Sequence, residues 1–213
     1  MRIKYLLIII VMLSFFNGFA QVSVGAFGGL NVSKLRGDQP VGSEFRSPVG
    51  VDLGVLVDYK FSEQFTLSLQ PSFSKKGAKI SYIVKGEDEL VDSVSINFNY
   101  LAIPLLLKIA AKNNRYYAIG GLEAGFPMSA TANYINESNN EVDIIDYLAD
   151  VVVVMHFGIG YRIPIGKPTL YVEGRYSQGI NNIIPFENPE YNAFPRVRTS
   201  AFQLLFGIEL PLF

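Results

Sequence analysis

The chain contains no cysteine. Disulfides and thiolate metal sites are therefore excluded, whatever the redox state of its compartment. Histidine occurs once, at His156, so any histidine-dependent catalysis would rest on that residue alone. An excess of positive charge is also missing, with 18 Lys and Arg against 19 Asp and Glu, which gives no support to a nucleic-acid partner. Beyond Ala20 no apolar run reaches the length of about 20 residues that a membrane-spanning helix needs. No segment there shows a helical period either. If the chain enters a membrane, it does so as strands.

The N-terminus has an export pattern. Arg2 and Lys4 precede an apolar run from Tyr5 to Phe16, followed by Asn17-Gly18-Phe19-Ala20. A basic start, a short apolar stretch and small residues predict a signal peptide over residues 1–20, cleaved before Gln21. The run is too short for an uncleaved anchor helix. The remaining residues 21–213 make one domain, with 16 of the 18 basic residues left after Arg2 and Lys4 are set aside, against 19 acidic ones.

What the chain does have is a period of two. In Gly50–Phe73, Val51, Leu53, Val55, Val57, Tyr59 and Phe61 take every second position, and the alternation resumes at Phe65, Leu67, Leu69 and Phe73 after Ser62-Glu63-Gln64. This predicts two strands and a tight hairpin. Similar patterns occupy Val22–Val32, Tyr116–Met128, Val151–Ile163, Thr169–Gln178 and Ser200–Leu212, while Ile96–Ile109 is too uniformly apolar to phase. Each is near the roughly 9–11 residues of a tilted membrane strand. The connections alternate in length. Ser33–Ser47, Lys75–Ser95, Ser129–Asp150 and Gly179–Thr199 are long and polar, whereas Ser62–Gln64, Ala110–Arg115 and Pro164–Pro168 are short. The expected fold is an all-β, eight-stranded antiparallel up-and-down transmembrane β-barrel, with short turns and both ends of the domain on the periplasmic side.

Volume decides which face looks outward. An eight-stranded barrel is just wide enough to be filled by side chains. The apolar set, rich in Leu, Val, Phe and Tyr, is too bulky to fit inside, whereas the opposing Gly, Ser and Ala set fits. The apolar face therefore points outward, where only hydrocarbon makes it stable. A soluble lipocalin-like carrier is the opposite solution. Tyr59, Phe61, Phe65, Tyr116 and Tyr161 fall near the short turns, where an aromatic girdle belongs.

The inward set then holds Asp52, Asp58, Lys60, Lys108, Glu123, His156, Arg162, Glu173, Arg175 and Glu209. Charges away from water need partners, so Asp52, Glu123, Arg175, Glu173, Arg162, Lys108 and Glu209 are expected to form a structural lumen network, with Asp52, Glu123 and Arg175 at similar heights. A gated proton or ion path is the sharper alternative. Lys75, Lys76 and Lys79 open the second long loop, where the phosphates of outer-leaflet lipopolysaccharide would meet them.

Other chemistry finds little support. Ser177, Glu173 and His156 share inward faces of neighbouring strands, but a hydrolase site opens to its substrate. The acidic residues Glu137, Glu141, Asp143, Asp146 and Asp150 lack the regular spacing of a Ca2+ loop. The glycines of GAFGGLN have no following helix to make a phosphate loop. No catalytic, cofactor or metal site is expected.

Three stretches also carry a resemblance. LSLQPSFSKKGAK (Leu67–Lys79), YLAIPLLLK (Tyr100–Lys108) and LYVEGRYSQGINNI (Leu170–Ile183) resemble segments of the PorT-like outer-membrane β-barrel family, in order along the chain. Ala102 and Ser72 stand where that family has acids. The resemblance implies the barrel fold, the outer membrane and, through the family's secretion-linked namesake, an accessory role among envelope or secretion-system proteins. The residues themselves point to a barrel without an open pore, acting through its outer loops in surface recognition, adhesion or envelope integrity. A narrow channel is a third reading.

Overall fold

The computed structural model describes residues 21–36, 43–83, 90–134, 141–183 and 198–212. The expected signal segment, residues 1–20, and the acid Glu137 lie outside them. The described residues form β1 (Gln21–Arg36), β2 (Ser43–Arg46), β3 (Val49–Lys60), β4 (Phe65–Leu69), β5 (Ser72–Ile83), β6 (Leu90–Ala110), β7 (Tyr116–Tyr134), β8 (Glu141–Asp143), a 3-10 turn at Ile145–Tyr147, β9 (Val152–Pro164), β10 (Thr169–Gly179) and β11 (Arg198–Pro211).

Every pairing is antiparallel, and β1 pairs with both β3 and β11. The sheet therefore closes. Eight staves form the ring: β1, β3, β4 with β5, β6, β7, β9, β10 and β11. β4 and β5 are one stave interrupted at Gln70-Pro71. Proline has no N–H for a ladder, and the break lies opposite Pro104 of β6. Backbone bonds from Val55 N to Pro71 O and from Gln70 N to Pro104 O, both 3.0 Å, carry the wall across it. A third proline, Pro127, pairs with Tyr100 where the β6–β7 register shifts.

The strands run further than the alternation predicts. β5 and β6 extend as a hairpin through most of the segment expected to be a loop at Lys75–Ser95, and β2 pairs along β5. The reason is that backbone pairing needs no apolar face once the strands leave hydrocarbon. Where β3 runs out at Val49, side chains of β1 reach β5 instead. Asn31 Nδ2 donates to Lys75 O at 3.0 Å, and the Ser33 hydroxyl donates to Gly77 O at 2.8 Å and accepts from Gly77 N at 3.0 Å.

Sidedness follows the period of two. On β11 Phe202 is 67% exposed and Phe206 52%, while Leu205 between them is 1% exposed. Leu53 (60%) and Asp52 (2%) show the same inversion on β3. On β6, whose apolar run could not be phased, Leu101, Leu105, Leu107 and Ile109 face out, and Ala102, Leu106 and Lys108 face in. The rings of Tyr116 and Tyr161 meet at a tilt of 48° with centroids 4.8 Å apart, and Phe61 stacks on Phe65 at 6.0 Å, beside the short turns. Asn114 (φ 57°) and Gly166 (φ 91°) supply the left-handed residues that two of those turns need.

Two tyrosines lie flat across the lumen wall because glycine faces them. A Cβ on Gly160 would sit 2.1 Å from Cζ of Tyr117, and one on Gly207 would sit 2.4 Å from Cζ of Tyr171. Gly207→Ala is expected to cost about 1–3 kcal/mol through overpacking. Gly174→Ala, whose Cβ would meet nothing within 4 Å, is expected to stay near wild type. Urea unfolding in micelles, followed by circular dichroism, checks the pair.

Candidate functional site: the charged lumen

The inward register brings polar side chains from every wall to the axis. Next to the short turns the lumen widens into a vestibule of about 250 Å3, lined by Lys60, Asn114, Arg162 and Glu209 among others. Arg162 Nε donates to Glu209 Oε1 at 3.1 Å, and its guanidinium lies 4.5 Å from the centroid of the Tyr117 ring.

Above the vestibule the side chains close a cycle. Lys108 Nζ lies 2.8 Å from Asp58 Oδ2 and 3.7 Å from Glu173 Oε1. Arg175 donates to Glu173 through Nε at 2.7 Å and also contacts it through Nη2. Arg175 Nη2 donates to Gln70 Oε1 at 2.6 Å, Gln70 Nε2 donates to Ser68 Oγ at 2.8 Å, and the Ser68 hydroxyl donates to Asp58. Two acids and two bases alternate, and two neutral side chains complete the ring. Tyr117 donates its hydroxyl to Glu173 Oε1 at 2.5 Å, and Lys108 sits between the rings of Tyr171 and Tyr117 at 5.3 and 5.6 Å.

Further from the short turns stand two smaller groups. Asp52 accepts from the Ser74 hydroxyl and from Gln203 Nε2 at 2.9 Å. Glu123 meets Lys76 Nζ at 3.3 Å and His156 Nε2 at 2.8 Å. Asp52, Glu123, His156, Arg175 and Gln203 all border one enclosed space of about 10 Å3, roughly the room of a single water. One inward step towards the long loops the lining turns apolar. Ala78, Phe98, Ala130, Val152 and Val154 pack there with Leu148 and Ile183, which come in from the outer connections.

The expected network residues therefore share the lumen, in more than one group. Asp52, Glu123 and Arg175 line the same space but do not pair with each other. Glu173 is the partner of Arg175, and Lys76 is the partner of Glu123. Lys76 corrects the sequence expectation: it is 5% exposed and points inward, while Lys75 is exposed and Lys79 half-buried. With Lys76 the described lumen holds five acids (Asp52, Asp58, Glu123, Glu173, Glu209) and five bases (Lys60, Lys76, Lys108, Arg162, Arg175). Asp58, Ser68, Gln70 and Tyr117 join the network although sequence reasoning did not select them for it. Their inward register was visible, but their reach across the lumen was not.

The hydrolase arrangement does not assemble. Ser177 pairs with His156 across the β9–β10 ladder, yet its hydroxyl donates to Ala201 O at 3.3 Å. His156 turns to Glu123, and Glu173 is held by Lys108, Tyr117 and Arg175. Among the described residues no cluster of His, Asp and Glu is arranged to hold a metal ion.

Comparison with known proteins agrees with this architecture. The family model described as outer membrane protein beta-barrel domain matches residues 19–185. Among solved structures the chain is similar to Ail, the attachment invasion locus protein of Yersinia pestis. It is 12% identical, with a TM-score of 0.48, covering 89% of this chain and 99% of its own. Neisserial surface protein A is 12% identical with a TM-score of 0.45 over 90% and 98%. The outer membrane protease OmpT of Escherichia coli is 11% identical with a TM-score of 0.40 over 91% and 96%. No curated protein matches the chain.

Breaking a buried ion pair by removing one partner costs about 3–5 kcal/mol. Lys108→Met, which strips a base from both Asp58 and Glu173, is expected to lower unfolding stability by that amount. Lys75→Met, on the exposed face, is expected to leave the urea midpoint unchanged.

Proposed function

Since the chain belongs to the outer membrane protein beta-barrel domain family, we propose that it works as a closed outer-membrane barrel whose activity resides in its outer loops, in surface recognition, adhesion or envelope integrity. The observation that carries this reading is the filled lumen. Between the vestibule and the long-loop end, an axial path meets the Asp58–Lys108–Glu173–Arg175 cycle, then a space of about 10 Å3, then the apolar layer around Phe98 and Ile183. Hydrated ions need more room than one water, and an apolar constriction opposes their passage.

Residues 1–20 act in this proposal as a cleaved export signal. On the outer hairpin Lys75 and Lys79 take the role of lipopolysaccharide contacts. Lys75 lies one outward position beyond Phe73, which is 43% exposed, so its ammonium stands where the apolar wall gives way to headgroups. The PorT resemblance supports a competing reading, an accessory role in protein secretion, which entails loss of cargo export when the gene is deleted.

Planar-bilayer recording decides between a closed barrel and a channel. The purified protein is expected to insert without discrete conductance steps. Reproducible ohmic steps that grow when Phe98 or Ile183 is replaced by Ala would make it a narrow channel.

A further inference from the structure

The outer wall is not uniform. A cross-strand row of outward residues near the short turns reads Ile109 on β6, Ala118 on β7, Ile159 on β9 and Gly174 on β10, each paired with the next in register. Large and small side chains alternate, and Ile159 stands 72% exposed between its two small neighbours. A Cβ on Gly174 would meet nothing within 4 Å. Tyr116, Tyr161 and Val172 form the row nearer the turns. The result is an apolar groove of about 680 Å3, which runs down to Ala111 at the end of the wall.

Charge is concentrated at that lower end. The groove's last residue, Ala111, is followed by Lys112, and Tyr116 is preceded by Arg115. The neighbouring turn after β9 carries Lys167. All three basic residues are exposed, and neither turn holds an acid. Glu63, the acid of the short turns, sits on the turn between β3 and β4, which adjoins the groove's β6 edge where Gln64 O accepts from Ala110 N at 2.7 Å, so three bases face one acid along this rim.

We propose that this groove is a binding site for one anionic phospholipid of the periplasmic leaflet. An acyl chain fills the depression over Ala118 and Gly174, the Tyr116 and Tyr161 rings lie at headgroup level, and Lys112, Arg115 and Lys167 receive the phosphate and the additional negative charge. A hydrocarbon-facing groove that ends in aromatic rings and a cluster of cations matches the three parts of such a lipid in their order of depth. Lipopolysaccharide lies in the opposite leaflet, at the long-loop end. A bound lipid here would fix how the barrel's periplasmic rim sits in its leaflet.

The test is native mass spectrometry of the purified barrel after exchange into detergent with phosphatidylglycerol or phosphatidylcholine. Wild type is expected to retain one phosphatidylglycerol per barrel, about tenfold or more in preference to phosphatidylcholine, since each base near a lipid surface contributes appreciably. Ala118→Leu with Gly174→Leu fills the groove and is expected to abolish retention of either lipid. Lys112→Gln with Arg115→Gln and Lys167→Gln leaves the groove intact and is expected to lose the preference. Heat-modifiable migration on SDS gels shows that each variant is folded. The triple variant changes only exposed turn residues, so it carries the test if the groove-filled barrel does not fold. Equal lipid retention by wild type and both variants would overturn the proposal. Lipid-free particles of two barrels, dissociated by the groove-filling pair, would overturn it in favour of a second copy of this chain.

Discussion

Hydrocarbon offers no partner to a backbone amide, and the rest of this structure depends on that constraint. A sheet surrounded by lipid must close, because an open edge would leave a row of unpaired N–H and C=O groups at several kcal/mol each. The β1–β11 pairing supplies the closure. Even at Pro71 and Pro104, where proline removes a donor, neighbouring backbone bonds span the gap. Beyond the apolar band the rule relaxes. There the strands continue as hairpins, and a serine hydroxyl takes the place of a missing ladder rung.

Closure with eight staves fixes the interior in turn. The lumen has a wall of alternate residues and little space, so its side chains must fill it and satisfy one another. Placing tyrosines across glycines solves the volume problem at Gly160 and Gly207. Alternating acid and base around a cycle solves the charge problem. Asp58, Lys108, Glu173 and Arg175 each touch an opposite charge, and Gln70 and Ser68 pass a hydrogen bond across the gap between the two halves. Such a network is costly to desolvate and costly to break. It pins the staves in one register, since a slip of one residue would send every charge into lipid.

Much of this was legible from the chain because one periodicity carries it. Val51, Leu53 and Val55 against Asp52 and Gly54 name both faces of β3 without a structure, and the alternation of long and short connections orders the strands. Ile96–Ile109 resisted because both its faces are apolar. Its inward Ala102 and Leu106 pack inside the lumen while Leu105 and Leu107 meet lipid, and only pairing with β4, β5 and β7 separates them. Lys76 was misplaced for a related reason. Lys75 and Lys76 are adjacent and alike in sequence, but a strand that continues past its apolar segment still sends alternate residues to opposite sides. The partnership of Glu123 with Lys76 was beyond sequence reasoning, because side-chain reach across a lumen depends on stagger, which no local pattern encodes. That of Glu173 with Arg175, two residues apart on the inward face of β10, is local.

The central claim is that the apolar face meets lipid and the polar face meets the axis. The chain has no tryptophan, so a single introduced indole reports its surroundings without background. Phe206→Trp places it on the outer wall and Phe27→Trp in the lumen. In vesicles containing brominated phosphatidylcholine, fluorescence at position 206 should be strongly quenched and that at position 27 nearly unaffected. Quenching at 27 with none at 206, or a folded protein that stays in solution without lipid, would contradict the account.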